Sequence, residues 1–74
     1  MARHSTPDVA GGLTDRELDV LQLASRGFNL TESAARIGIS KWTATDAMHR
    51  LMKKLDASTQ AEAVYRAVKE GIIQ

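Results

Sequence analysis

The sequence contains no cysteine, which excludes disulfide bonds and thiolate metal sites. Its apolar runs are too short to span a bilayer, and residues 1–12 lack the apolar stretch of a secretory signal. Seventy-four residues allow one small domain, which must be stabilised by helix packing. These absences predict a cytoplasmic protein with no membrane partner, in a compartment where thiols stay reduced.

Residues that could catalyse a reaction or bind a metal are scattered. Neither His4 nor His49 has a second ligand at helical spacing, and His49 is expected to be an exposed helix residue rather than a general base. The serines occupy predicted caps and turns, and the glycines occupy predicted helix ends rather than a phosphate-binding loop. The sequence therefore predicts no enzyme activity, no metal and no cofactor.

The net charge is only +1, but the charges are unevenly distributed along the chain. Residues 36–55 carry five cations against one carboxylate, whereas the segments on either side are slightly acidic. A basic segment of this kind is the electrostatic footprint expected of a phosphate-binding surface. Charge alone leaves open the alternative of a solvated basic helix face.

The pattern of caps and apolar residues predicts an all-α, four-helix bundle over residues 13–74, preceded by a flexible arm over residues 1–12. Three helices are expected to begin at an N-cap with glutamate three residues later: Thr14 with Glu17, Asn29 with Glu32, and Thr59 with Glu62. Gly27 and Gly71 are expected to end the first and the fourth helix. The predicted helices lie near residues 14–26, 30–37, 41–56 and 60–70.

The second and third predicted helices are joined by Gly38-Ile39-Ser40, a turn so short that the helices must cross steeply. This is the helix-turn-helix unit. In the third helix a stripe of apolar residues at helical spacing is expected to face the core: Ala44, Ala47, Met48, Leu51, Met52 and Leu55. The opposite face should then present Trp42, Asp46, His49 and Lys53, flanked by Thr45 and Arg50.

A helix with such a polar face fits the major groove of DNA, where side chains read the base edges. Ser40, Thr43 and the free amides at the helix start can hold a phosphate. We expect Lys41, Arg50 and Lys53 at phosphates, and Trp42, Thr45, Asp46 and His49 at the bases. Asp46 can accept from a cytosine amino group. The roles of two residues stay open. Trp42 either contacts a thymine methyl or sugar, or covers a neighbouring helix or loop. Lys54 either contacts a phosphate or pairs with a residue such as Glu17.

The chain resembles the LuxR/GerE-type helix-turn-helix family, the output domains of the NarL/FixJ type. The resemblance is carried by LTDRELDVLQLASRGFNLTESAARIGIS at residues 13–40, Thr43, Lys54-Leu55, and EAV through the GII ending, and covers about residues 13–73. In length the chain is similar to stand-alone GerE-like members, which lack a receiver domain. The resemblance implies a bacterial or phage-encoded, nucleoid-associated transcription regulator that binds double-stranded DNA as a homodimer, with the third helix in the major groove.

The resemblance also implies that the fourth helix makes the dimer contact. In that helix Val64, Ala67 and Val68 are expected to form an inner stripe, with Ala61 one turn earlier. Tyr65, Ile72 and Ile73 add more apolar surface than so small a domain can bury. The predicted interface comprises Ala61, Val64, Tyr65, Val68 and Ile72.

Departures from the family pattern fall at its DNA contacts. Thr31 replaces a usual basic contact, and Thr45 and Ala47 replace the usual lysine and histidine. Thr31 is nevertheless expected to contact the DNA. These departures favour one alternative function, a protein-interaction module that docks on another regulator or on RNA polymerase through anchors such as Trp42 and Tyr65. A relative of sigma-factor region four, which shares the opening helix pattern, is a third interpretation.

Overall fold

Four helices account for most of residues 12–74, the part of the chain that a computed structural model describes. They are α1 (Asp15–Ser25), α2 (Leu30–Ile37), α3 (Lys41–Lys54) and α4 (Gln60–Lys69). No strand occurs between residues 12 and 74, and the predicted all-α fold is confirmed. The arm predicted for residues 1–12 lies outside the described residues except for Gly12, and it stays a prediction.

The first two helices begin at the predicted capping boxes. Thr14 Oγ1 accepts from the amide of Glu17 at 3.1 Å, and Glu17 Oε1 accepts from the amide of Thr14 at 2.9 Å. Asn29 and Glu32 make the same exchange at 2.8 and 2.9 Å. Each box satisfies two amides that a helix start would otherwise leave without a partner.

The start of α4 differs from the predicted box in one bond. Thr59 Oγ1 accepts from the amide of Glu62 at 3.0 Å as predicted, but Glu62 Oε1 accepts from the amide of Ser58 at 2.8 Å rather than from that of Thr59. The other carboxylate oxygen of Glu62 accepts from Arg66 at 3.1 Å. The Ser58 amide, then the hydrogen bond and charge of Arg66, hold the pKa of Glu62 below its ordinary value, against a smaller opposing effect of burial.

Left-handed residues end the helices. Gly27, with φ +94°, follows α1, and the Phe28 amide donates back to the carbonyl of Leu23 at 3.1 Å. At the end of α3 the same position is occupied by Asp56, with φ +57°, and the Ala57 amide donates to Met52 at 2.8 Å. Because Asp56 leaves the helical conformation, α3 ends at Lys54, two residues before the predicted end.

Helix α3 lies at the centre of the fold and packs against α1, α2 and α4. Its predicted core stripe is confirmed, with every member buried except the half-buried Met52. In the predicted inner stripe of α4, Ala67 is buried and Val64 is half-buried, but Val68 is 49 % exposed and Ala61 is also exposed. Ala63, which was not predicted to lie on this stripe, is buried instead. Of the three extra apolar residues near the end of the chain, the domain buries Ile73 at 4 % exposure and leaves Ile72 half-buried and Tyr65 exposed.

One ion pair fixes α3 against α1. Lys54 Nζ lies 2.8 Å from Glu17 Oε1 and donates to the carbonyl oxygen of Gly12 at 3.2 Å. The Glu17 side chain is only 4 % exposed, so its charge is neutralised by Lys54 where water hardly reaches. Of the two interpretations of Lys54, the structure supports the structural ion pair.

Candidate nucleic-acid interface

The turn between α2 and α3 sets the direction of the candidate reading helix. Gly38, with φ +84°, ends α2, and the amides of Gly38 and Ile39 both donate to the carbonyl of Ala34, at 2.8 and 3.0 Å. Ile39 packs against the core, and Ser40 Oγ accepts from the Thr43 amide at 3.0 Å to start α3. Three residues thus separate the two helices, as predicted for a helix-turn-helix.

Nine of the ten predicted DNA-binding residues lie on the outward side of α3 or at its N-cap. Thr45 is half-buried, and the other eight are exposed: Ser40, Lys41, Trp42, Thr43, Asp46, His49, Arg50 and Lys53. The tenth, Thr31, is exposed in the first turn of α2. Burial of the opposite side of α3 leaves this face directed outward.

Trp42 is the most exposed large apolar side chain among residues 12–74, at 85 %. The interpretation in which it covers a neighbouring helix or loop is therefore wrong. Its ring lies on the surface one turn before Asp46, where a molecule bound to α3 would meet it.

An ion pair that was not predicted from the sequence lies in the middle of this face. Arg50 Nε donates to Asp46 Oδ2 at 2.8 Å, and the two side chains are 67 % and 62 % exposed. From the sequence, Asp46 is predicted as a base contact and Arg50 as a phosphate contact. Their spacing indicates such a pair, because residues four apart on a helix are neighbours and these two have opposite charges.

The ion pairs reduce the number of cations free to bind phosphate. Of the five basic residues in segment 36–55, Lys54 is paired with Glu17 and Arg50 with Asp46. A third, Arg36, stacks on the ring of Phe28 with its guanidinium carbon 4.0 Å from the ring centre. Lys41 and Lys53 form no ion pair within residues 12–74. The free positive charge of α3 therefore lies near its two ends.

The second half of the exposed face borders a shallow, open groove of about 600 Å³. Asp46, His49, Arg50 and Lys53 line it, together with Met52 and Ala57. Across residues 12–74, no three side chains of the metal-binding types come together. None of the described helices is both long enough and apolar enough to cross a membrane.

The predicted dimer residues form a second surface, on and after α4. Tyr65 is 61 % exposed, Val68 is 49 % exposed and Ala61 is also exposed, whereas Val64 and Ile72 are half-buried against the core. Lys69 Nζ lies 5.9 Å from the centre of the Tyr65 ring. An apolar strip thus remains uncovered along α4.

Comparison with known proteins identifies the family. Residues 12–67 match the family described as bacterial regulatory proteins, luxR family. The chain is 33 % identical over 67 residues to the uncharacterized transcriptional regulatory protein YxjL of Bacillus subtilis, covering 90 % of this chain and 31 % of YxjL. It is 34 % identical over 62 residues to the transcriptional regulatory protein DesR of the same organism, covering 84 % of this chain and 31 % of DesR.

A third relative is the HTH-type quorum sensing-dependent transcriptional regulator VjbR of Brucella abortus, 37 % identical over 65 residues. That match covers 88 % of this chain and 25 % of VjbR, so the chain spans a quarter to a third of the length of these relatives. The similarity reaches from α1 into α4 and includes the whole helix-turn-helix. The chain belongs to the luxR family of bacterial regulatory proteins, a helix-turn-helix family of DNA-binding transcription regulators rather than of enzymes.

Proposed function

We propose that this domain binds double-stranded DNA as a homodimer in the bacterial cytoplasm, with α3 in the major groove and α4 at the twofold axis. The observation that carries the proposal is the division of α3 into two sides. One side is buried in the core, and the other presents donors, an acceptor and an aromatic ring without obstruction. The major groove is wide enough to admit one helix of this kind.

Phosphates are held at the two ends of α3. At its start, the hydroxyls of Ser40 and Thr43 lie 3.0 Å apart beside the exposed Lys41, and the first amides of the helix have no intrahelical acceptor. At its end, Lys53 supplies the second free cation. Thr31, in the first turn of α2, adds a hydroxyl contact where the family usually places a cation.

The base edges face the middle of the helix, between these phosphate contacts. Trp42 packs its exposed ring against a thymine methyl group or a sugar, and Thr45 and His49 offer hydrogen bonds. Asp46 accepts from a base amino group. Because α3 keeps neither the usual lysine nor the usual histidine of the family, these side chains must supply the base recognition.

The dimer contact is the apolar strip of Ala61, Tyr65 and Val68, bordered by Val64 and Ile72. A twofold interface brings the same patch of both copies together, and it would cover ring and methyl surface that one copy leaves in water. The two α3 helices would then meet half-sites about one turn of DNA apart.

The dimer is tested by sedimentation of the purified chain over a range of concentrations, with Tyr65→Asp as the variant. We expect a concentration-dependent dimer that Tyr65→Asp dissociates, because the interface would lose the tyrosine ring and would have to bury a carboxylate. Ala35→Asp is the matched control, since it adds the same charge at an exposed position on α2. A wild-type chain that stays monomeric, even on DNA, would contradict the dimer.

DNA binding is tested by selecting binding sites from a genomic library with the purified chain. We expect enrichment of sequences built from two half-sites, and binding that weakens steeply as salt rises. Absence of binding to any duplex at low salt would refute the proposed function.

The 85 % exposure of Trp42 favours a second candidate, docking on another regulator or on RNA polymerase. Large exposed aromatic residues often anchor protein interfaces. In that case Trp42→Ala would abolish capture of RNA polymerase or a regulator, while the chain would show no salt-dependent binding to arbitrary duplex DNA. Salt-dependent DNA binding separates the two candidates.

A further inference from the structure

We infer that Asp46 and Arg50 form one unit that reads a G·C base pair, with Arg50 contacting guanine rather than a phosphate. The inference rests on the proposed function, because it concerns how α3 would recognise the DNA in the groove. It starts from the hydrogen bond between Arg50 Nε and Asp46 Oδ2, at the centre of the exposed face.

The bond leaves three hydrogen-bonding groups free. Arg50 uses only Nε, so both of its terminal amino groups remain available as donors. Asp46 uses only Oδ2, so Oδ1 remains available as an acceptor. Neither side chain has another hydrogen-bonding partner within residues 12–74. Both are about two-thirds exposed, and they line the open groove beside α3.

This set of groups complements the major-groove edge of a G·C pair. Guanine presents two acceptors, N7 and O6, and cytosine presents a donor, the N4 amino group. The two terminal amino groups of Arg50 match the guanine acceptors, and Asp46 Oδ1 matches the cytosine donor. An A·T pair presents an acceptor, a donor and an acceptor, so two of its three groups would oppose this unit.

The pair also explains why Arg50 should not contact a phosphate. Its guanidinium is held beside a carboxylate that phosphate oxygens repel, so a phosphate would gain little from approaching it. The free lysines, Lys41 and Lys53, lie near the two ends of the face and can take the phosphates there. An exposed pair four residues apart adds little to helix stability, so folding alone does not account for its place on this face. Asp46 is thus both a base contact and a positioning residue for Arg50.

The test uses the purified full chain and a duplex recovered by binding-site selection. Each base pair of that duplex is changed in turn, and each guanine is replaced by 7-deazaguanine, which removes the N7 acceptor but preserves pairing. We expect one G·C pair in each half-site at which either change weakens wild-type binding by about 10- to 100-fold. Arg50→Ala should lose most of the discrimination between G·C and A·T at that pair, because only the contact from Asp46 to cytosine remains.

Asp46→Ala separates the unit from an arginine that reads alone. Freed from its carboxylate, Arg50 should bind random DNA more tightly, while discrimination at the G·C pair falls by about tenfold. Lys53→Ala is the matched control, because it removes a phosphate contact and should weaken binding to all duplexes by the same factor. Circular dichroism checks that each variant keeps its helices.

Three results would overturn the inference. Arg50→Ala could lower the salt dependence of binding and leave base discrimination intact, as a phosphate contact would. Asp46→Ala could discriminate between G·C and A·T as well as the wild type does, which would show that Asp46 takes no part in recognising the base pair. The base pair at which Arg50→Ala loses discrimination could prove to be A·T. Failure of the wild-type chain to bind any duplex would refute the proposed function itself.

Discussion

The salt dependence of binding to random DNA follows from the number of free cations on α3. Each protomer has two, Lys41 and Lys53, since Arg50 is paired with Asp46 and Lys54 with Glu17. If each neutralises one phosphate, a dimer contacts about four phosphates, and the logarithm of the binding constant should fall with slope about −3.6 against the logarithm of salt concentration. Between about 50 and 200 mM salt, the affinity should then fall about 150-fold.

Lys53→Ala removes half of these contacts. The slope should drop to about −1.8, and the same increase in salt should weaken binding only about 12-fold. Fluorescence anisotropy with a labelled random duplex, repeated at several potassium chloride concentrations, measures both slopes. Arg16→Ala is the matched control, because it removes one charge from an exposed position on α1 rather than from α3, and it should leave the slope unchanged. An unchanged slope in Lys53→Ala would show that this end of α3 does not contact a phosphate.

Three further predictions concern stability. Ser33→Ala should raise the free energy of unfolding by about 1 kcal/mol, because it removes a buried hydroxyl that has no hydrogen-bond partner within residues 12–74; urea denaturation measures this. Asp56→Gly should stabilise the fold by about 1 kcal/mol by relieving the left-handed conformation, whereas Asp56→Ala should not. Folding lowers the pKa of Glu62, so its stabilising contribution is lost as the pH falls through that pKa. In acid titrations the free energy of unfolding of Glu62→Gln should therefore depend less on pH than that of the wild type.

The helix starts could be predicted because their hydrogen bonds join residues three apart. The side chains of Thr14 and Asn29 need only the residues that follow them, so the capping boxes are readable without any tertiary structure. The end of α3 was harder to predict. No glycine marks it, and the chain instead places Asp56 in a conformation that aspartate adopts only occasionally.

Burial along α4 depends on contacts that the local sequence does not reveal. A helical stripe through Val64, Ala67 and Val68 is more apolar than one through Ala63 and Ala67, so the sequence favours the first of these as the buried side. The fold instead turns the small alanines toward the core, where α4 packs against α1 and α3. Close helix packing favours small side chains, and Val68 is left about half exposed.

The exposed face of α3 was predicted from helical spacing, but the state of its charges was not. Position on the helix indicates that Asp46 and Arg50 face outward, and it allows them to pair. It does not show which rotamers they adopt. Nor does spacing decide between the two interpretations of Lys54, because its pair with Glu17 joins residues 37 positions apart and depends on how α1 packs on α3.

Asp46 bears most directly on how such a domain would select its target. A carboxylate on a DNA-facing helix weakens binding to every sequence, because it repels phosphates and occupies Arg50. At a G·C pair, however, Asp46 and Arg50 would form hydrogen bonds to base atoms that offset this loss. At other base pairs they would not. Specificity is the difference between those affinities, so a group that lowers both can still increase the ratio. Under the proposed function, Asp46 would lower general DNA affinity while raising selectivity, and the second copy of α3 in the proposed dimer would restore the affinity.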